Sequence, residues 1–436
     1  LARRAPFAEL LEDASRFRTL GWPQAEESAL RQALWGADAG RPEPAASPAA
    51  RDARLRLALL LCQRGSSSAA DDLLGRMGYG VRLRDRIVDF PSSLEAAAHE
   101  ATARGPEAPD VCVLDGAVPQ EALERLCAAL ARPSAPFWRE HCYPEVDFFS
   151  YSFRLDSQPT NVVEQLILHL RPHVARHFPA AAAAHSAEWW MHSKSAAQWQ
   201  GHALHYDSNE HADAAGAGPS HPAVSTVVYL TEPSSSAFGP TIVLDQELGG
   251  GPASHCFMVP PRRGRALLFN GRFLHGVLPG KTWEPPRPVA GGPGGHNRLT
   301  LMIGWWVAPI EQRPRPGSTL QDKHRRLVFE SNMTPPCAGD PDWSWPETLR
   351  PSGALAHSRA TPTGASVPAQ FSPVWQNIEV PATVASQKTF AQSAPFAMGG
   401  LFLADHSQVD KEVRRRIREA RRVLPLESER ECPKRG

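Results

Sequence analysis

His205-Tyr206-Asp207, Gly264-Arg-Ala-Leu-Leu-Phe-Asn-Gly-Arg-Phe-Leu-His-Gly-Val277 and Arg298-Leu-Thr-Leu-Met-Ile-Gly-Trp-Trp-Val307 are the segments that decide how this chain folds. Side chains at i and i+2 of a strand project to one face, so His205 and Asp207 turn the same way and Tyr206 the other. In the second segment an apolar strand runs through a Gly-containing turn into a short strand that carries His275. A ligand arriving from a distant strand suits a barrel or sandwich, where separated segments converge on one interior. Two imidazoles and one carboxylate can occupy a triangular face of a six-coordinate metal and leave three positions open, the donor set of a non-haem Fe(II) centre.

A lone His-x-Asp carries little weight in a chain with 17 histidines. His169, His173 and His177 lie on the helix-like run Val162 to Phe178 and read as solvated helix residues. Their four-residue spacing could hold a metal on one helix face, but no Glu follows His169 in the zinc-protease pattern. His202 has no carboxylate two positions on, and His211-Ala-Asp213 opens an Ala/Gly-rich loop, so both rank below His205. The surrounding strands add specificity. Glu188–Ser193, Val224–Thr231, Pro240–Leu244, Ala266–Phe269 and Arg298–Val307 are short β-branched or aromatic runs separated by Gly, Pro and Ser turns, a spacing that predicts a sandwich or barrel.

With Val111-Cys-Val-Leu-Asp-Gly-Ala-Val-Pro119 leading into a helix, then His205-Tyr-Asp207, Tyr229-Leu230, Gly239-Pro-Thr241, His275 and Arg298, residues from about Val111 to Val307 resemble the 2-oxoglutarate and Fe(II)-dependent dioxygenase superfamily, nearest in layout to its prolyl 4-hydroxylase-like branch. The resemblance implies an α+β fold: a double-stranded β-helix (jelly roll) core with flanking helices and a small helical N-terminal region. It implies that His205, Asp207 and His275 are both metal ligands and catalytic residues. Arg298 would pair with the distal carboxylate of 2-oxoglutarate, through a planar fork suited to two charge-assisted bonds. Thr241 and Tyr229 would support that carboxylate. The implied cofactors are Fe(II), the co-substrates 2-oxoglutarate and O2, and, as a further family trait, ascorbate.

The reaction so implied decarboxylates 2-oxoglutarate to succinate and CO2 and hydroxylates an unactivated C–H bond. Asp207, where halogenating relatives have Gly or Ala, favours hydroxylation because no ligand position is freed for chloride. A peptidyl, prolyl-like substrate is preferred over a small molecule. The rival from another class is a non-catalytic oxygenase-fold scaffold that binds protein partners through its N-terminal helices. The interval from His275 to Arg298 is longer than the branch usually has, and the surplus Gly280–Gly295 is Pro/Gly-rich and reads as a loop. Lys281 inside it is a rival cation for 2-oxoglutarate. Trp189, Trp190, Trp199, Trp305 and Trp306 cluster near the ligand-bearing strands, as core or as cleft wall, and which of them lines the pocket stays open.

The 436 residues divide into a tetratricopeptide-like helical region (1–100), the dioxygenase domain (108–310) and a Pro-rich C-terminal extension (311–436). Phe7–Leu34 and Ala53–Gly78 are helical stretches broken at Gly21 and Gly65, resembling tetratricopeptide helix pairs. The bland reading is that they buttress the oxygenase. In the extension, Gln321–Glu330 reads as a short helix and Ser352–Gln370 as linker. Phe371–Val380 and Gly399–Ala404 read as strands added to the main sheet, and Val409–Val423 as a basic helix. A net charge of +1 argues against nucleic acid as a partner. No apolar run reaches the ~18 residues of a membrane span. Seven Cys without a Cys-x-x-Cys make reduced cytoplasmic thiols the default, with the secretory pathway open because many prolyl hydroxylases work there.

Overall fold

The computed structural model describes residues 7–36, 48–91, 110–143, 149–195, 201–209, 220–232, 238–281, 297–310, 331–353, 355, 362, 364–385 and 402–403. Four helices open the chain: α1 (Phe7–Thr19), α2 (Pro23–Trp35), α3 (Pro48–Gln63) and α4 (Ser67–Arg76). Gly21 and Gly65, with φ of 72° and 74°, stop α1 and α3 in the left-handed conformation that glycine adopts most readily. Both ends close as Schellman motifs, Trp22 N–H bonding Phe17 O and Gly21 N–H bonding Arg18 O, with the same pattern from Ser66 and Gly65 to Leu61 and Cys62. Every residue of α3 from Ala50 to Gln63 except Asp52 is buried. A helix covered on all sides belongs to a core, not to an open binding groove.

After the short strand β1 (Val81–Leu83) come β2 (Val111–Leu114), helix α5 (Gln120–Leu130), β3 (Tyr151–Arg154) and helix α6 (Val162–His177). Asn161 caps α6 by accepting Glu164 N–H at 3.0 Å, while the Glu164 carboxylate accepts from Thr160. The strands that follow are β4 (Ser186–Ser195), β5 (His202–His205), β6 (Val224–Tyr229), β7 (Phe238–Glu247), β8 (Cys256–Val259), β9 (Ala266–Asn270), β10 (Phe273–Pro279) and β11 (Asn297–Trp306). Last come β12 (Ala365–Ser366), β13 (Ala369–Phe371), β14 (Trp375–Asn377) and β15 (Phe402–Leu403).

These strands form a seven-stranded sheet in the order β12-β2-β9-β6-β11-β4-β3 and a five-stranded sheet in the order β13-β8-β7-β10-β5. Every ladder in them is antiparallel. From β4 to β11 the chain changes sheet at each connection except β7 to β8. Residues of both sheets meet in one apolar layer: Val227, Tyr229, Leu267 and Phe269 from the larger sheet, Val243, Phe257, Val259 and Phe273 from the smaller. The odd-numbered side chains of β11, Leu299 to Trp305, face the other way and pack with α5 and α6. The even-numbered ones, from Arg298 onward, face the smaller sheet, as the period-2 geometry of a strand requires.

The back of the smaller sheet is covered by the N-terminal helices. Leu204, Tyr206, Ile242, Leu244, Met258, Leu274 and Leu278 share a single core with Leu30, Leu57, Leu60 and Leu74. The C-terminal strands depart from expectation. β12 and β13 form largely within the stretch expected to be linker and pair with β2 of the larger sheet and β8 of the smaller. However, β14 and β15 flank β1 in a separate three-stranded sheet and add nothing to the main one. Val374 and Ile378, on either side of β14, are buried in the core of the helical unit, which draws this segment to the N-terminal region. The anticipated helices at 321–330 and 409–423 lie outside the described residues. Among the described residues no helix is long and apolar enough to cross a membrane.

Candidate functional site

β10 and β5 are neighbours in the smaller sheet, and their register sets His275 directly opposite His205. The imidazoles stand 4.2 Å apart, centroid to centroid. β5 ends at His205, so Asp207 lies just beyond the strand rather than within it as i, i+2 spacing predicts. Its orientation comes from other contacts. Ser225 on β6 donates its hydroxyl to Asp207 Oδ2 at 2.6 Å, and His221 Nδ1 meets the Asp207 carbonyl at 2.6 Å. The other oxygen, Oδ1, then lies 3.8 Å from His205 Nε2 and 3.6 Å from His275 Nε2. One donor atom from each of the three residues falls within 4.8 Å of the others, the only such group of three among the described residues.

The tautomers follow from the hydrogen bonds. His205 Nδ1 lies 2.9 Å from Ala203 O, and His275 Nδ1 lies 3.0 Å from Phe273 O. A carbonyl only accepts, so each Nδ1 carries a proton, and in the neutral imidazole this leaves the Nε2 lone pair on the side of Asp207 Oδ1. Metal-bound imidazoles are held in this way, by a second nitrogen donating to the backbone. Two imidazole nitrogens and a carboxylate oxygen brought together in this way fit a divalent first-row metal, whose bonds to such donors are ~2.0–2.2 Å.

His205 and His275 of the triad line a cleft. Arg298 forms part of its wall and is buried, only 4% exposed. Its Nη1 donates to Gly239 O and its Nη2 to Thr241 Oγ1, both at 2.8 Å, and the guanidinium lies 5.5 Å from the Tyr229 ring centroid. Burial pulls its pKa below the usual arginine value, the Tyr229 hydroxyl opposing. Among the described residues no carboxylate pairs with it. Tyr229 also donates to Thr241 Oγ1, at 2.7 Å. With both lone pairs of Thr241 engaged, its own proton is left to be given elsewhere. A buried cation without a counter-ion is costly, and an anionic ligand would relieve that cost.

Lys281 is placed differently. Its Nζ donates to Phe90 O at 2.7 Å and pairs with Asp89 at 2.5 Å, so it is bound to the N-terminal region and is not part of the cleft wall. Of the tryptophans, Trp190 lines the cleft. Trp189 and Trp305 belong to the core under α5 and α6, and Trp306 donates to Glu188. Trp199 lies outside the described residues. His169, His173 and His177 are partly buried on α6, and burial lowers the pKa of each.

Sequence reasoning passed over Ser225, His192 and ranked His202 low. His202 and His192 both line the cleft, His202 with its ring 4.8 Å from His205. Desolvation drives the pKa of His192 down to about 3, helped by nearby Lys194, and that of His202 well down as well, so both are neutral. Alternation back from Tyr229 places Val227 and Ser225 on its face, a signal available in the sequence. His192 needed the β4–β11 register, which pairs it with Thr300.

No family model matches the chain, and no curated protein matches it. Among solved structures it is similar to a prolyl-4-hydroxylase from Pseudomonas putida, at 15% identity over 50% of this chain and 96% of that one, TM-score 0.28. HygX from Streptomyces hygroscopicus, crystallised with nickel and 2-oxoglutarate, matches at 15% identity over 51% and 93%, TM-score 0.27. SnoK, a non-heme alpha-ketoglutarate-dependent carbocyclase from nogalamycin biosynthesis, matches at 12% identity over 47% and 84%, TM-score 0.29.

Proposed function

We propose that the chain is an Fe(II)- and 2-oxoglutarate-dependent dioxygenase, with a double-stranded β-helix built from its two facing sheets, that hydroxylates an unactivated C–H bond. The observation that carries this reading is one cleft containing two kinds of site. At one place three donors converge, with both imidazoles anchored to backbone carbonyls through Nδ1 and Nε2 on the side of the Asp207 carboxylate. At another the buried Arg298 guanidinium, its remaining N–H groups and the Thr241 hydroxyl are arranged for a carboxylate. When bound, iron with 2-oxoglutarate and O2 supplies the oxidation of the C–H bond.

The protein's residues do the rest. His205, His275 and Asp207 hold the ion on one face, and Ser225 fixes which carboxylate oxygen is offered. Arg298 and Thr241 take the distal carboxylate, with Tyr229 supporting both. Trp190, Val227, Phe238, Val277, Leu278 and Met302 give the cleft an apolar wall that excludes water and suits a ring such as that of a prolyl residue. A peptidyl substrate is therefore our proposal for the reacting partner, and residues 1–100, 108–310 and 311–436 our proposed division of the chain. Mixed under anaerobic conditions with Fe(II) and 2-oxoglutarate, the protein should give a weak visible charge-transfer band that is missing in His205→Ala. Absence of the band from the unmutated protein would sink the enzymatic reading. Succinate release stimulated by a proline-rich peptide, but not by free amino acids, tests the substrate class.

A further inference from the structure

β10 carries His275 and then contributes Gly276, Val277 and Leu278 to the cleft wall. Its exit is buried: Pro279, Gly280 and Lys281 are all covered. The ladder with β7 is already irregular between Val277 and Pro279, so the carbonyls at this end need partners from outside the sheet. The N-terminal helices provide them. Gln63, the last residue of α3, donates Nε2 to Pro279 O at 3.1 Å, and Arg18 of α1 donates Nη2 to Gly280 O at 3.0 Å. Arg18 is held in turn by Glu26 of α2, at 3.2 Å, with both side chains at most 1% exposed, and reaches Gln63 Oε1 at 3.5 Å. One residue on, Lys281 is tied to Phe90 and Asp89.

We infer that Arg18 and Gln63 are positioning residues for the cleft: through the carbonyls of Pro279 and Gly280 they set the path of the strand that bears His275 and three residues of the cleft wall. The helical unit is thus part of the active-site framework, connected to it by buried polar contacts as well as by apolar packing. Such contacts have directional geometry, which apolar contacts lack, so they fix where the strand ends rather than only that it is covered. The consequence for metal binding rests on the function proposed above; the consequence for the strand does not.

The test uses the full chain. Gln63→Leu removes the donor to Pro279 with little change of volume, Arg18→Met removes the donor to Gly280, and Arg18→Lys keeps a charged donor. Leu74→Ala opens a cavity in the same core from α4 without touching a hydrogen bond of the network. Amide hydrogen exchange over residues 273–281 of metal-free protein should rise at least ~10-fold in Gln63→Leu and Arg18→Met. Co(II) affinity, read from its visible spectrum, should fall about 10-fold in both, as when groups that orient ligands are removed. Arg18→Lys should restore much of each, and Leu74→Ala should lower Tm while leaving both unchanged. Unchanged exchange over 273–281 in Gln63→Leu overturns the inference, and so does equal loosening in Leu74→Ala. If the unmutated protein binds no Co(II), the oxygenase reading fails, while the exchange pattern still decides the role of Arg18 and Gln63.

Discussion

At Ser225 one hydroxyl governs how the carboxylate of Asp207 is presented. Asp207 is past the end of β5, so strand pairing does not fix its side chain, and the 2.6 Å bond from Ser225 to Oδ2 takes over that task. Ser225→Ala leaves Oδ2 without this donor and lets the carboxylate turn between its two oxygens. We expect the fold to survive, since Ser225 is flanked by the ladders of β9 and β11, and divalent-metal affinity to drop roughly 10–100-fold. Calorimetric titration with Ni(II) is the measurement. An affinity within a factor of about two of the parent would mean that Asp207 is oriented by the His221 contact alone.

At the scale of elements, close approach between strands shapes the cleft. Gly201 precedes β5 with φ of 71°, and a Cβ there would sit 2.3 Å from Val277 O and 3.0 Å from Pro279 N. Gly65 has nearly the same backbone, φ of 74°, with nothing within 4 Å of the same atom. The pair separates two costs that usually travel together. Gly65→Ala should cost only the left-handed penalty of about 1–2 kcal/mol. Gly201→Ala adds the clash with β10 and should cost at least ~1 kcal/mol more, together with a loss of metal affinity as the His275 strand is pushed away. Urea midpoints of the two variants give the comparison; equal losses would mean that the β5–β10 contact yields without cost.

Much of this layer was legible in the sequence, because alternation and turn residues act locally. The strands at 186–195, 224–229, 266–270 and 297–306 and the breaks at Gly21 and Gly65 follow from such signals. The grouping of His205, Asp207 and His275 follows from residue type and spacing, whereas Arg298 is marked by the family resemblance. What stayed hidden depends on partners far away in the chain. β1 has three residues and becomes a strand only between β14 and β15, and β8 is four buried residues with no polar alternation to announce it. By sequence alone Lys281 is a rival to Arg298; Asp89 and Phe90 hold it instead, a contact no local pattern encodes.

Across the whole molecule, the N-terminal helices and the smaller sheet act as a single folding unit. Leu204, Tyr206, Ile242, Leu244, Met258, Leu274 and Leu278, on the back of the smaller sheet whose strands β5 and β10 bear His205 and His275, are all at most 5% exposed within the shared core. A chain beginning at residue 108 would open these seven side chains to water, at about 1.5–3 kcal/mol each, or roughly 10–20 kcal/mol as an upper estimate. Domains are typically stable by only ~5–15 kcal/mol, so the loss is of the size of the whole. The truncation would also leave β14 and β15 without the strand they pair with, adding exposed edges to an exposed apolar face. We therefore expect residues 108–436 to be recovered as aggregate or molten protein that binds no Co(II), and co-expression with residues 1–107 to rescue a fraction of it. Size-exclusion chromatography with near-ultraviolet circular dichroism distinguishes the outcomes. A monodisperse 108–436 fragment with native tertiary signal and parent-like Co(II) affinity would mean that the helices merely shield the sheet, and that the cleft is assembled without them.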